Sequence, residues 1–267
     1  MADKYKWDGI AARIWRYSRT PSRPHKSDIA FIEGIIKNLI RHKKPKVLIL
    51  GSTPELRDIC IKYGLIPTVV DYSGYNFKHL KGQMKRRGKE ILVVQDWRKM
   101  NLNKKFDIIL GDLSLNMVGF KDQKIILRKL SKLAESKGFI AHRTWIYEES
   151  RYASLNELIE AHRKRKNINS YLSLLMDLIH YWYNKKRRCI DYSRTRHEWQ
   201  TAFEGNMMTK EEFESYFNVY GHFNLPTYLT TKKSFESMIK KHFKIQTIFK
   251  GKYFHSQYSP VYLLQLR

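Results

Sequence analysis

Hydrophobic and polar positions set up two different rhythms along the first half of the chain. Over residues 29–41 the apolar side chains Ile32, Ile35, Ile36 and Leu39 recur at helical spacing, with Asp28 just ahead as a suitable cap. From residue 44 onward short apolar runs alternate with helical stretches. Val47–Leu50 is broken by Gly51-Ser52-Thr53-Pro54 and followed by a helix over 55–63. A strand over 68–70 stops at Asp71, and a basic helix covers 77–87. Ile91–Val94 stops at Gln95-Asp96, and the strand 106–110 stops at Gly111-Asp112. A helix over 123–134 leads to a fifth strand, 139–142.

Strands that are almost uninterrupted apolar runs, each followed by a helix, predict an α/β fold with a buried parallel sheet covered on both faces. The pattern is lost after Ser150. Residues 154–217 read as helices, with Ile168, Leu172, Leu175, Ile179 and Trp182 along one face. Phe243–Phe249 and Val261–Leu266 read as an antiparallel pair that closes the sheet. The expected organisation is a basic, aromatic N-terminal segment (1–28) over the ligand cleft, a core (29–150), a helical insert or lid (151–235) and the closing strands (236–267).

Ligands on such sheets bind at the carboxyl ends of the strands, which is where polar residues gather here. Gly51 lets backbone N–H groups approach a ligand closely. Asp71 follows 20 residues later, at the end of the next strand, where a carboxylate accepts both hydroxyls of a ribose. In Gln95-Asp96-Trp97 the acid suits an adenine amino group and the indole suits the ring face. Asp112 and Asn116 follow the strand that ends beside the reactive end of such a ligand.

Together these segments resemble the class I S-adenosylmethionine-dependent methyltransferases, over about residues 45–145 and the closing strands. VLILGSTPEL is similar to the family's first motif, FDIILGD to its fourth, and Ser136-Lys137-Gly138 to the turn before its fifth strand. The resemblance implies a Rossmann-like sheet with an antiparallel closing pair and S-adenosyl-L-methionine as cofactor. It assigns cofactor contacts to Gly51, Ser52, Thr53 and Glu55, to Asp71 and Tyr72, to Asp96 and Trp97, and to Asp112. The first motif departs from the family in having Ile49 in place of an acid and Gly51 as its single glycine. Trp15, Tyr17, Arg19 and Arg23 are therefore candidates to hold the cofactor's amino acid portion, an Arg fork suiting a carboxylate. His142 and Asp112 are the catalytic candidates, His142 as general base. Asn116, Arg143 and Tyr147 are candidates for substrate binding, and no metal is expected. A nicotinamide dehydrogenase shares the ribose acid but fits the single glycine and the antiparallel closing pair less well.

Charge complicates the choice of acceptor. The 267 residues carry a formal +26 with 42% hydrophobic and 13% aromatic residues, so a well-cored globular protein presents a field that attracts polyanions. A lysine-rich, merely solvated surface gives the same number. The motifs of several nucleic-acid methyltransferases are missing. Asp112-Leu113-Ser114-Leu115 has no proline, Arg143 stands where a lysine would follow the fifth strand, and neither Cys60 nor Cys189 is placed to attack a base. The expectation is therefore methyl transfer to N or O of a small molecule or peptide. RNA methylation, or non-catalytic nucleic-acid binding on the same fold, is the alternative. The insert aromatics Tyr171, Tyr181, Trp182, Tyr183, Tyr192, Trp199 and Phe203 are expected to wall the substrate, to stack bases beside the basic clusters 185–188 and 194–196, or to pack the insert's own small core. Two cysteines without a CxxC pair, no run of 18 apolar residues and no signal-peptide stretch predict a cytoplasmic protein that spans no membrane.

Overall fold

The computed structural model describes residues 9–165, 170–221, 223 and 225–267. Helix α1 (Ile10–Tyr17) and a strap that turns over residues 20–23 lead into α2 (Lys26–Ile40). The core then alternates: β1 (Val47–Leu50), α3 (Pro54–Lys62), β2 (Thr68–Asp71), α4 (Gly74–Lys81), β3 (Ile91–Val94), β4 (Phe106–Asp112), α5 (Phe120–Leu133) and β5 (Ala134–Arg143). The insert comprises β6 (Ile146–Tyr147), α6 (Leu155–Arg163), α7 (Ser170–Tyr181), β7 (Tyr183–Asn184), β8 (Cys189–Ile190), α8 (Tyr192–Glu204), α9 (Lys210–Tyr220), β9 (Thr227–Tyr228) and β10 (Thr230–Thr231). Helix α10 (Lys232–Ile239) and strands β11 (Phe243–Phe249) and β12 (Val261–Leu266) complete the chain.

The main sheet has the order β11-β12-β5-β4-β1-β2-β3. Its first five strands in sequence are parallel, whereas β12 runs antiparallel to both β5 and β11. This is the mostly parallel sheet with an antiparallel closing pair that the apolar runs predict. Successive strand side chains point to opposite faces, so β1 feeds two cores. Val47 and Ile49 pack with α2 and α3, while Leu48 and Leu50 pack with α5 and α10. A third core lies within the insert, around Trp182, Trp199, Tyr192 and Tyr216. No helix among the described residues is long and apolar enough to cross a membrane.

Three expectations change in detail. Helix α2 begins at Lys26, not after Asp28; His25 caps it, and Asp28 accepts the His25 backbone N–H at 3.0 Å from inside the first turn. Helix α4 starts earlier than expected, because the Ser73 hydroxyl accepts the Asn76 N–H at 3.1 Å, and the basic residues 82–90 lie beyond its end. The insert is not purely helical: β7, β8 and β9 form a small antiparallel sheet. Two-residue strands leave no periodicity to read, and β9 pairs with β8 across the whole of α8 and α9. Of the predicted stripe, Ile179 and Trp182 enter the insert core. Ile168 and the side chains of Leu172 and Leu175 lie outside the described residues.

Trp199 is fully buried, and its ring meets Trp182 edge-on at 5.5 Å and Tyr216 at 5.2 Å. Trp199→Ala is expected to lower stability by about 3–5 kcal/mol, read from the urea midpoint at unchanged slope.

Candidate functional site

A cavity of about 350 Å³ opens at the carboxyl ends of the parallel strands. Gly51, Ser52 and Thr53 after β1, Asp71 and Tyr72 at β2, Asp96 and Trp97 after β3, and Asp112 at β4 all line it. Four separate strand ends thus converge on one space, as the positions of the polar residues predict.

Local chemistry fixes each of them. Gly51 has φ 87°, a conformation that a Cβ makes costly, and this lets the chain turn from β1 towards α3. The Trp97 indole N–H donates to the Val70 carbonyl at 2.8 Å, which holds the ring beside Gly51. Asp71 accepts the Ser52 hydroxyl at 2.5 Å and the Ser73 N–H at 2.9 Å. Burial pushes its carboxyl above the ordinary range despite those bonds. Asp96 is clasped by Arg98, which donates to it through Nε at 2.9 Å and Nη2 at 2.6 Å and reaches on to Asp122 at 3.1 Å. Partial burial opposes ionisation of Asp96, but the Arg98 fork outweighs it and the carboxyl sits below its usual range.

Several residues expected at the site are used elsewhere. Glu55 does not line the cavity; it accepts the Arg23 guanidinium at 2.5 Å and 2.9 Å, which ties the N-terminal strap to α3. Of the other strap candidates, Trp15 lines the cavity, Arg19 donates to the carbonyl of Ser18, and Tyr17 faces solvent. Asn116 is buried and fully bonded. Its amide donates to the carbonyls of Trp145 and Tyr228 (3.0 and 2.8 Å), and its oxygen accepts from Thr144 Oγ1 and the Trp145 N–H, both at 3.0 Å. It therefore fastens the turn after β4 to the insert and leaves no group for a substrate. Tyr147 stacks on Tyr183 at 3.7 Å, away from the cavity.

His142, the expected general base, is 2% exposed and also does not line the cavity. The Leu115 backbone N–H approaches its Nε2 at 3.4 Å, so Nε2 is the acceptor and the Ser114 hydroxyl, 2.8 Å away, donates to it. Burial, and then the neighbouring Arg143 charge, push its pKa down to about 3, so the ring stays neutral. Its role is to anchor the turn after β4, where Leu113 takes a left-handed conformation (φ 54°) that is costly for a branched side chain. A Cβ on Gly111 would lie 2.3 Å from the imidazole, so that position has to be glycine.

Arg143 is 1% exposed and holds three parts of the chain. It donates to Asp112 at 2.5 Å, to the Pro21 carbonyl at 2.6 Å and to Ser259 at 2.9 Å. Burial opposes its charge, but the Asp112 carboxylate outweighs that and raises the guanidinium pKa. Cys60 is buried and its thiol is pushed up to about 12, so it is no nucleophile.

The cavity walls also include residues that the sequence did not single out: Leu113, Met117, Trp145, Tyr220, Phe223 and Tyr228. Most of the aromatics expected to wall a substrate pack within the insert instead; Trp182, Tyr192 and Trp199 are core residues and Phe203 stacks on Phe213. Tyr220 and Phe223, beyond the segment read as helical, take the wall. The Tyr220 hydroxyl meets Ser22 of the strap at 2.6 Å and closes the cavity on that side.

No protein-family model and no curated protein sequence matches the chain. Solved structures do. The CcbJ methyltransferase from Streptomyces caelestis superposes with a TM-score of 0.61 at 10% identity, covering 99% of both chains. An S-adenosylmethionine-dependent methyltransferase from Clostridium acetobutylicum gives 0.55 at 14% identity over 96% of each. A Rhodobacter sphaeroides protein carrying the provisional name Zn-dependent alcohol dehydrogenase gives 0.64 at 13% identity over 100% of each. The chain thus has the Rossmann-like fold of the class I methyltransferases.

Arg143→Ala leaves the buried Asp112 without its partner, and the Pro21 carbonyl and Ser259 hydroxyl without theirs, and is expected to cost about 3–5 kcal/mol in urea unfolding. The neutral burial of His142 adds a pH term of definite sign. The unfolded ring takes a proton near pH 6.5 and the folded ring only near 3, so its contribution is intact above pH 6.5 and is lost as pH falls below it. Between pH 7 and 4, stability of the wild type should fall more steeply than that of His142→Gln, in parallel urea titrations.

Proposed function

We propose that this chain is an S-adenosylmethionine-dependent methyltransferase acting on an N or O acceptor. The observation that carries the reading is the convergence of Gly51, Asp71, Asp96-Trp97 and Asp112 on one cavity at the strand ends. The residues fit the cofactor. The two Asp71 oxygens, one accepting the Ser52 hydroxyl and the other the Ser73 N–H, offer about four acceptor positions in all, which suits the two hydroxyls of a ribose. Gly51 gives close backbone approach for the amino acid portion. Trp97 flanks the adenine region, with the Asp96–Arg98 pair as its polar edge. Asp112, with one oxygen on Arg143, retains the other for a positive group.

The cofactor supplies an activated methyl group on a sulfonium, and the protein's part is to align an acceptor lone pair with it and to exclude water. Leu113, Met117, Val118, Trp145, Tyr220, Phe223 and Tyr228 do the excluding; their apolar and aromatic surfaces receive a compact, flat group. The Asn116 and Ser114–His142 contacts hold those walls in register. His142 acts as this anchor and not as a base. The sheet order supports methyl transfer over hydride transfer, because dinucleotide-binding sheets end in a parallel sixth strand, whereas here antiparallel β12 stands between β5 and β11. The missing motifs argue against an exocyclic base amine, a cytosine carbon or a ribose 2′-hydroxyl as the acceptor.

Calorimetry with S-adenosylhomocysteine tests the site. The wild type should bind it and Asp71→Ala should weaken binding roughly 10- to 100-fold, the worth of one or two hydrogen bonds to a charged group. Binding of a nicotinamide dinucleotide in its place would overturn the reading.

A further inference from the structure

The insert places a run of four exposed cations, Lys185, Lys186, Arg187 and Arg188, at the tip of the β7–β8 hairpin. Tertiary structure brings this tip against the cavity. β8 pairs with β9 through Cys189 and Tyr228, and Tyr228 is a cavity wall. The Leu229 N–H donates to the Arg188 carbonyl at 3.2 Å. Across from the tip, α5 begins beside another wall residue, Gly119, whose Cα faces the Tyr228 ring. The Phe120 ring joins the two elements, with Lys124 Nζ 4.4 Å from its centroid and the Arg188 guanidinium 5.0 Å from it. Lys121 is exposed on the same helix end. Lys185 pairs with Glu149 and Arg187 with Asp191, but among the described residues no carboxylate pairs with Lys121, Lys124, Lys186 or Arg188. The result is a basic rim alongside a cavity walled by aromatic rings.

We propose that this rim binds the phosphates of a single-stranded polynucleotide and that one of its bases enters the aromatic part of the cavity as the methyl acceptor, a base lone pair forming the new bond to the methyl group as the methyl–sulfur bond breaks and the sulfonium leaves as the neutral thioether S-adenosylhomocysteine. The second half of the proposal rests on the methyltransferase reading above. Backbone phosphates at the rim and a base on aromatic faces are the two contacts by which single strands are held. A membrane surface fits less well: among the described residues the large exposed apolar side chains are Tyr17, Ile66, Tyr75, Ile91 and Val94, none of them on the rim. A run of Asp and Glu would satisfy the cations but has no flat ring to fill the space between Tyr228, Trp145, Tyr220 and Phe223.

The test uses the full chain and a fluorescein-labelled oligouridine of about 12 nucleotides, long enough for a typical single-strand site. One variant combines Lys121→Glu, Lys124→Glu and Lys186→Glu. The control combines Lys44→Glu, Lys105→Glu and Lys137→Glu, three exposed lysines at the amino ends of the strands, the opposite end of the sheet. Both change the net charge equally, and the Lys→Gln versions repeat the comparison with smaller perturbation. The rim variant should lose at least about tenfold in affinity, and the slope of log affinity against log salt should fall by about 2, while the control loses under about threefold. Equal losses in the two variants, no binding by the wild type, or equal binding of polyglutamate of matched length would each overturn the rim as a polynucleotide site. S-adenosylhomocysteine affinity, measured in parallel, should be unchanged in both variants. Its absence from the wild type would sink the methyltransferase reading while leaving the rim result to stand or fall by itself. Methyl label from S-adenosylmethionine that reaches only small, nuclease-resistant species of a cell extract would overturn the base as acceptor.

Discussion

The buried Arg143–Asp112 pair is the contact around which the cavity is assembled. Asp112 ends β4 and faces the cavity, while Arg143 ends the neighbouring strand β5 and is almost fully enclosed. A guanidinium has five donors and has to be bonded when buried. Arg143 meets most of that demand through Nε and Nη1, drawing in the Pro21 carbonyl from the strap and Ser259 from the loop before β12, while its buried Nη2 has no hydrogen-bond partner among the described residues. Helix α1 and the strap then pass over the site, where Trp15, Ser18 and Ser22 become walls. One charge that must be compensated thus fixes the strand end, the strap and the closing loop relative to one another.

Two buried polar anchors extend this order to the insert. Asn116 has its amide donors and acceptor bonded between the turn after β4, the segment after β5 and β9, so the position of Tyr228 is set by the core sheet and not only by the insert's own packing. The neutral His142 receives Ser114 and stabilises the left-handed Leu113. Both residues are expensive to disturb because each would leave several buried polar groups without partners. They explain how an insert with its own core, built around Trp182 and Trp199, is tied to the sheet.

The division of labour across the cavity follows from these anchors. The strand ends carry carboxylates and a glycine turn, suited to a charged, hydroxylated ligand. The strap and insert contribute aromatic and aliphatic faces, suited to a flat apolar one. The basic hairpin lies beside the second half, so charge outside and aromatic surface inside belong to the same region of the molecule.

Much of this was legible in the sequence. Continuous apolar strands, alternating helices, the terminal antiparallel pair and the strand-end positions of Gly51, Asp71, Asp96 and Asp112 are local features, set by periodicity and by where each run stops. What those features do not contain is which buried group meets which. Arg143 finds Pro21 at a separation of 122 residues and Asn116 finds Tyr228 at 112, and no local pattern records either pairing. Polar residues at strand ends therefore read alike, whether they line the cavity, as Asp71 does, or lock the core, as His142, Arg143 and Asn116 do. The insert's aromatics singled out in the sequence likewise read as one group, until packing put Trp199 and Tyr192 into its core and left the cavity wall to Tyr220 and Phe223, which no local pattern marked. The sequence by itself determined the sheet and the half of the site that hangs from strand ends. Only the tertiary structure decided the other half, because long-range compensation of buried polar groups, and not local propensity, sets where the strap, the insert and the cationic hairpin come to rest.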